Sequence, residues 1–550
     1  MIRACFPCVA LVIVGAAAAP AAAQEQSAPK VVTMTTDATE LLNDIRYSMS
    51  LASPAEQAQW PNLLKYLDVF LIGLDRAKPA RMDIIYGGEF RRYRTSLPVE
   101  NLKKFRDENL DTLGITSQRK SSFTYKLSDA FEGWMRVFPN NFASIAKYQE
   151  DVPAEYTPLK GIEHLLHRNY DAAVEGTNVP DGMEDRRRMY QRDRQEWMAK
   201  LQRDKNETDD DYALRRLLYE HQLDEAERIF VEGKHLLIGG TVNASKGEIR
   251  FDIEMTPLAE TSLARNIDAI GKQPSQFAGV PKVKDPIISG RITMPLDEQR
   301  QENLLELTEL LRTRYKNIVN DRKTSTAAQK DAARKAVDLF FDMVDTGTKG
   351  GLLDGFMEGH PSGSGKNTVV GGLETTDGNA FIDILKLLPD INKDHRVEFD
   401  VAEAEGVKIH RATWPVEYRK DLQGFFGEDS YYVGTAKESI WFGAGPGALD
   451  ELKAAIADAG NPGDAKPGPF IDVLMRLGPW TELLHKRMGN TGRADMRERA
   501  IEAFRPGDDQ FTLVLDKRDG HVAGEMIGNT GILRFVGKMF AEFMRNIDEQ

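Results

Sequence analysis

The chain has 550 residues, 41% hydrophobic and 29% charged, the balance of a folded globular protein long enough for about three domains. Against 72 Lys and Arg stand 85 Asp and Glu, and a net charge of -13 leaves little for counterion release on a phosphate backbone, which argues against nucleic acid as a partner. The only cysteines are Cys5 and Cys8.

Met1 to Ala23 reads as a secretory signal peptide. Arg3 supplies the positive start, Val9 to Ala19 an apolar core, and Ala21-Ala22-Ala23 a small-residue cleavage site before Gln24. The core is too short to cross a bilayer about 30 Å thick as a helix, an uncleaved anchor being the alternative. Export predicts a periplasmic or secreted product with no transmembrane span after cleavage. Since both cysteines fall in the signal, the mature chain would carry no disulfide, thiolate metal ligand or cysteine nucleophile.

A polar leader from Gln24 precedes a helix marked by Leu63, Leu67, Phe70 and Leu74, with Pro61 acceptable in its first turn. Two hairpins follow, Met82 to Tyr86 with Gly87-Gly88 and Phe123 to Leu127 with Ser128-Asp129. They complete a first α+β lobe over residues 24–155.

Residues 156–232 read as a charged helical arm. Thr157-Pro158 opens a helix that buries Leu159, Ile162, Leu166 and Ala173 and ends near Gly176. Glu163, His164, His167 and Asp171 lie along its other surface at a spacing a metal could use, so His164, His167 and Asp171 are candidate ligands. The plainer reading makes them the solvated side of an amphipathic helix. Glu184 to Asp204 is densely charged around Met189, Trp197 and Leu201, and Thr208 with three following aspartates starts another helix through Leu214, Leu217 and Leu218.

The second α+β region, residues 233–550, is organised around His235 to Ile270. From Glu248 to Met255 charged and apolar residues alternate without a break, so one face of this strand is apolar and the other ionic. His235 to Val242 precedes it, Asn243 to Gly247 makes the turn, and Leu263, Ile267 and Ile270 follow at helical spacing. The same strand-turn-strand-helix punctuation recurs at Tyr431 to Ile456 and Phe511 to Phe543, more loosely from Thr368 and in the first lobe, as a true repeat or as convergent patterning. Within this region Ile287 to Met294 predicts a strand, residues about 297–346 a helical hairpin, residues about 345–367 a flexible Gly/Ser loop, and residues 470–504 helix, with a breaker from Asn461 to Pro469.

Motifs that could carry chemistry weaken on inspection. Gly443 to Ala448 fits G-x-G-x-x-A, yet the strand before it is the second arm of a hairpin and Pro446 removes an amide, so no dinucleotide cofactor is expected. His360 to Asn367 lacks the leading glycine and the hydroxyl of a phosphate loop, and Asp204 to Arg215 lacks the glycine and glutamate of a calcium loop. There is no G-x-S-x-G elbow. Trp134, Trp414 and Trp441 are core or sheet-face residues, or an aromatic ligand platform.

The hairpin-helix units, with Leu97-Pro98-Val99 and Asp377-Gly378 as punctuation, resemble a loose group of large, uncharacterised exported bacterial proteins. The resemblance implies no activity and no functional residues. The expected fold is α+β, antiparallel sheets of repeated strand-turn-strand-helix units with helices on one face, plus the charged arm. The expected function is that of an exported, non-catalytic binding or scaffold protein of the envelope, with a protein or an apolar small molecule as partner and no catalytic residue, cofactor or enzyme activity assigned. A carrier of a lipid-like ligand is the alternative, and a hydrolase with a dispersed site the third reading.

Overall fold

The computed structural model describes residues 30–35, 38–87, 90–203, 207–363, 365–460, 468–488 and 494–548. The stretch read as a signal peptide, most of the 461–469 breaker and residues 204–206 of the calcium-like stretch lie outside them. Twenty strands occur among the described residues. In chain order they are β1 (Lys30–Thr35), β2 (Arg81–Gly87), β3 (Phe90–Pro98), β4 (Ile115–Arg119), β5 (Thr124–Asp129), β6 (Gly133–Phe138), β7 (Phe142–Ala146), β8 (Ala172–Thr177), β9 (Gly233–Asn243) and β10 (Glu248–Pro257). Then come β11 (Ile288–Pro295), β12 (Leu352–Pro361), β13 (Asn367–Glu374), β14 (Val397–Ala404), β15 (Val407–Thr413), β16 (Ser430–Thr435), β17 (Ser439–Ala444), β18 (Ile471–Arg476), β19 (Gln510–Arg518) and β20 (His521–Asn529).

Every pairing is antiparallel, and the strands join in one unbroken order: β4-β5-β6-β7-β3-β2-β1-β8-β9-β10-β20-β19-β18-β11-β12-β13-β17-β16-β15-β14. The fold is α+β, with the strand-turn-strand-helix unit recurring along the chain. Local chemistry sets the units. Asp519 and Gly520, at φ 46° and 81°, form the two-residue turn that returns β20 on β19. Thr208, Asp297 and Thr326 each cap a long helix by accepting a backbone N–H in its first turn.

Four stretches depart from the sequence reading, the first being Lys30–Thr35, which lies in the polar leader read from Gln24 to about Thr36 and is a strand paired with β2 and β8. Ala172–Thr177 is a strand, not the end of a helix: the helix over Thr157 to Gly176 reduces to Glu163–Leu166, and the left-handed Asn169 turns the chain into the gap between β1 and β9. The charged arm is thereby interrupted by a strand that links the first lobe to the rest of the sheet. Leu352–Pro361 is likewise a strand within the 345–367 stretch read as a flexible loop. Its glycines suit close packing rather than mobility, since a Cβ on Gly359 would lie 2.8 Å from Val369 Cγ2. Ile471–Arg476, read as helix, is β18, and helix begins only at Leu477.

The two long helices Glu298–Asp321 and Ala327–Lys349 form a hairpin between β11 and β12, tied by Arg312 to Asp342 and Asp345. At the chain ends, Met49, Leu63 and Leu67 pack with Ala541 and Met544 of helix Thr530–Asp548, and Lys538 reaches Glu56 at 3.2 Å. The largest apolar core, around Phe277, Phe356, Val370, Ile409 and Trp441, lies under helix Ala448–Ala459.

Candidate functional site

Alternation within each strand and register between strands together decide which side chains share a face. In β10, Ile249, Phe251, Ile253 and Met255 point one way and Arg250, Asp252 and Glu254 the other. On the ionic face charges find partners: Arg250 meets Asp252 and Glu525, Arg168 meets Glu254, and Tyr170 donates to Asp252.

The apolar face continues far beyond β10. One row of directly opposed residues runs Val174, Ile238, Ile253, Gly524, Leu515, Ile471, Ile292, Gly355 and Leu373, from β8 to β13. The row beside it runs Gly240, Phe251, Met526, Leu513, Val473, Gly290 and Met357. No residue in either row is polar. Nine strands contribute, so at about 4.8 Å per strand the surface extends about 38 Å across them.

Such a face is ordinarily sealed by helices, and among the described residues it is sealed only at its margins. Leu263, Ile267 and Ile270 of the segment following β10 pack on Met255, Val522, Leu515 and Ile471, at one end of the strands. At the opposite end Ile532 of helix Thr530–Asp548 lies over Gly528 beside Ile249, and Leu483 of helix Leu477–Met488 joins Ile288 and Val369. From Ile249 to Met255 is about 20 Å of strand, and helices about 10 Å across seated over its ends leave the middle uncovered. The exposures agree: Phe251, Ile253, Leu513, Met526 and Val473 are only half-buried, and Ile238, Met357 and Leu373 are 40%, 39% and 44% exposed. The geometry is that of a trough with an apolar floor and helical rims. Among the described residues no helix is long and apolar enough to cross a membrane.

The candidate metal ligands do not converge. His164 Nε2 lies 2.8 Å from Glu175 Oε1, which also meets His235 Nε2 at 2.9 Å, whereas the Asp171 carboxylate accepts the Val242 N–H at 2.5 Å and His167 is exposed. With the helix confined to Glu163–Leu166 the three no longer share one surface. Burial opposes ionisation of Glu175, but the two imidazoles outweigh it and hold this carboxyl below its ordinary range. Among the described residues no group of three or more His, Cys, Asp or Glu could hold a metal ion.

The glycine-rich stretch at Gly443 follows β17, paired antiparallel with β13 and β16, and Thr368 Oγ1 donates to Pro446 O across it. A Cβ on Gly445 would lie 2.1 Å from Asn367 O, so the loop is packed against β13, where a phosphate would need space. Within the phosphate-loop-like stretch Ser362 donates its N–H to Lys366 O, closing the turn into β13. Trp441 is buried in the main core, Trp414 stacks on Tyr431 at 4.5 Å, and Trp134 lies beneath Lys126.

The sequence pattern shows the part of the trough in β9, β10, β11, β13, β19 and β20 but not Val174, Val473 and Met357, because their strands read as helix or loop. The alternation Ile471, Val473, Met475 was the available signal. No family model, no curated protein and no solved structure matches this chain.

Proposed function

We propose that this is an exported, non-catalytic binding protein that holds an apolar, chain-like ligand along the trough. The observation that carries the reading is the pair of apolar rows, one from β8 to β13 and one from β9 to β12, left half-exposed between helical rims. A recessed floor suits a narrow flexible ligand better than a broad protein surface, and an exposed apolar area of this extent ordinarily marks a binding site. The N-terminal signal pattern supports export. A sixteen-carbon chain with half its surface covered gains about 6 kcal/mol, a dissociation constant on the order of tens of micromolar.

Titration with a fluorescent polyene fatty acid tests this. Saturable binding that is lost in Ile253→Asp and Met526→Asp, with both variants folded, supports the reading; binding unchanged by either substitution, or no binding at all, sinks it. A second reading, a scaffold for a protein partner, draws on Tyr315 and Ile318, 50% and 44% exposed along helix Glu298–Asp321. Under that reading a partner cross-links to this helix and substitutions on the trough floor leave the cross-link intact.

A further inference from the structure

β14 is the last strand of the sheet and, among the described residues, pairs with β15 alone. Its ladder is broken in the middle. Glu398 opposes Arg411 and Ala402 opposes Ile409, so Phe399, Asp400 and Val401 stand against the single residue His410. All three are exposed, and Asp400 takes a left-handed conformation, φ 52°, that costs a non-glycine residue energy and persists only where its surroundings hold it. A bulge of this kind bends an edge strand and keeps its open side from pairing with another chain.

His410 is what holds the bulge. Its ring is almost wholly buried, with Nδ1 3.1 Å from the Asp400 amide nitrogen, Nε2 3.1 Å from Thr435 Oγ1 and the Phe399 ring edge-on at 5.5 Å. A backbone N–H can only donate, so Nδ1 is the acceptor and carries no proton. The ring is therefore neutral, and its one N–H, on Nε2, donates to Thr435. An added proton can go only to Nδ1. The Asp400 N–H would then face another N–H, and the hydrogen bond that fixes the left-handed residue would be lost. The carboxylate of the same residue, with Oδ1 3.5 Å from Nδ1, would take the new proton's hydrogen bond instead.

Few other charges face the ring. Lys408, on its own strand, lies 3.8 Å from the Asp400 carboxylate, and Glu398 and Glu403 of β14 are exposed. On β16 the opposed residue is Val433, which packs under Leu385 of helix Phe381–Ile391. On that helix Asp383 and Lys386 pair with each other and Asp390 is exposed. Burial disfavours the imidazolium, Asp400 favours it and Lys408 opposes it, and burial prevails, so the ring titrates below the ordinary histidine value.

We propose that His410 is a proton-operated latch on the edge of the sheet: neutral, it pins the bulge of β14 through the Asp400 amide, and protonated, it releases Phe399 to Val401 from β15. Because the folded value is lowered, the latch holds fully above about pH 6.5 and weakens as pH falls through the folded pKa.

Hydrogen–deuterium exchange of the full chain, read residue by residue and corrected for the intrinsic pH dependence of exchange, tests this. The protection factor of the Asp400 amide is expected to fall at least tenfold between about pH 7.5 and about pH 4.5, while the amides of β16 keep theirs. His410→Asn, whose amide oxygen replaces Nδ1 as acceptor and does not titrate, should hold the Asp400 amide protected throughout. Asp400→Asn keeps the backbone but removes the carboxylate that favours the imidazolium, so its loss of protection should move to lower pH. That variant decides the matter even if His410→Asn does not fold. Constant protection of the wild-type Asp400 amide, a loss shared by β16, a loss that survives in His410→Asn, or a midpoint unmoved in Asp400→Asn overturns the proposal.

Discussion

Leu237 and Ile238 are consecutive residues of β9, yet Leu237 is 1% exposed and Ile238 40%. Leu237 points into the cluster formed with Ile162, Leu165, Tyr170 and Ala173, and Ile238 stands on the trough floor opposite Val174 and Ile253. On the trough reading, opposite faces of one strand serve stability and binding separately. Leu237→Ala is expected to cost about 2–5 kcal/mol in chemical denaturation, whereas Ile238→Asp, which gives up only partial burial and strand propensity, costs about 1–2 kcal/mol. Fatty-acid binding should be lost in Ile238→Asp, and equal destabilisation by the two substitutions would contradict the assignment of faces.

In the first lobe Asp83 is fully buried between Arg81 Nε at 2.7 Å and the guanidinium of Arg94, whose Nη2 is at 2.5 Å, with Tyr156 donating to the same carboxylate. Burial alone would raise the Asp83 pKa, but the two arginines outweigh it and hold it below the ordinary carboxylate range. A lowered folded value means that this contribution is fully present above about pH 4 and drains away as pH falls through the folded pKa. Arg94→Met leaves a buried charge half-compensated and should cost about 3–5 kcal/mol at neutral pH. Thermal unfolding across pH 3 to 7 checks both statements, and a wild-type stability flat across that range would contradict the first.

Asp354 behaves in the opposite sense. It is fully buried, accepts from Thr293 Oγ1 at 2.8 Å and from the Gln276 N–H at 2.9 Å, and has no ion pair among the described residues. Burial raises its pKa above the ordinary value against the pull of these hydrogen bonds. Because the folded state holds this proton more tightly, the stabilisation is present below about pH 4 and is lost as pH rises through the folded pKa. The melting temperature of Asp354→Asn should therefore depend less on pH above about 4 than that of the wild type. An identical profile for the two proteins would show that Asp354 ionises normally in the fold.

Much of the fold was legible where alternation was strong. The eight residues Glu248 to Met255 identified a strand with one apolar and one ionic face, and Asp519-Gly520 identified the hairpin of β19 and β20, because both signals are local. The joining of β10 to β20, nearly three hundred residues apart, was not legible, since register is set by tertiary pairing. Ala172–Thr177 has weak strand propensity and becomes a strand only because β1 and β9 flank it. Gly355 and Gly359 looked like loop residues for the same want of a partner: what they make room for lies on β13.

The most direct measurement is native mass spectrometry of the protein purified gently from the cells that make it, followed by the same sample after denaturation. The trough reading predicts a native mass above that of the polypeptide by a lipid-sized increment, released on denaturation and absent from Ile253→Asp. A native mass equal to that of the polypeptide, unchanged after incubation with lysophosphatidylethanolamine, would contradict it.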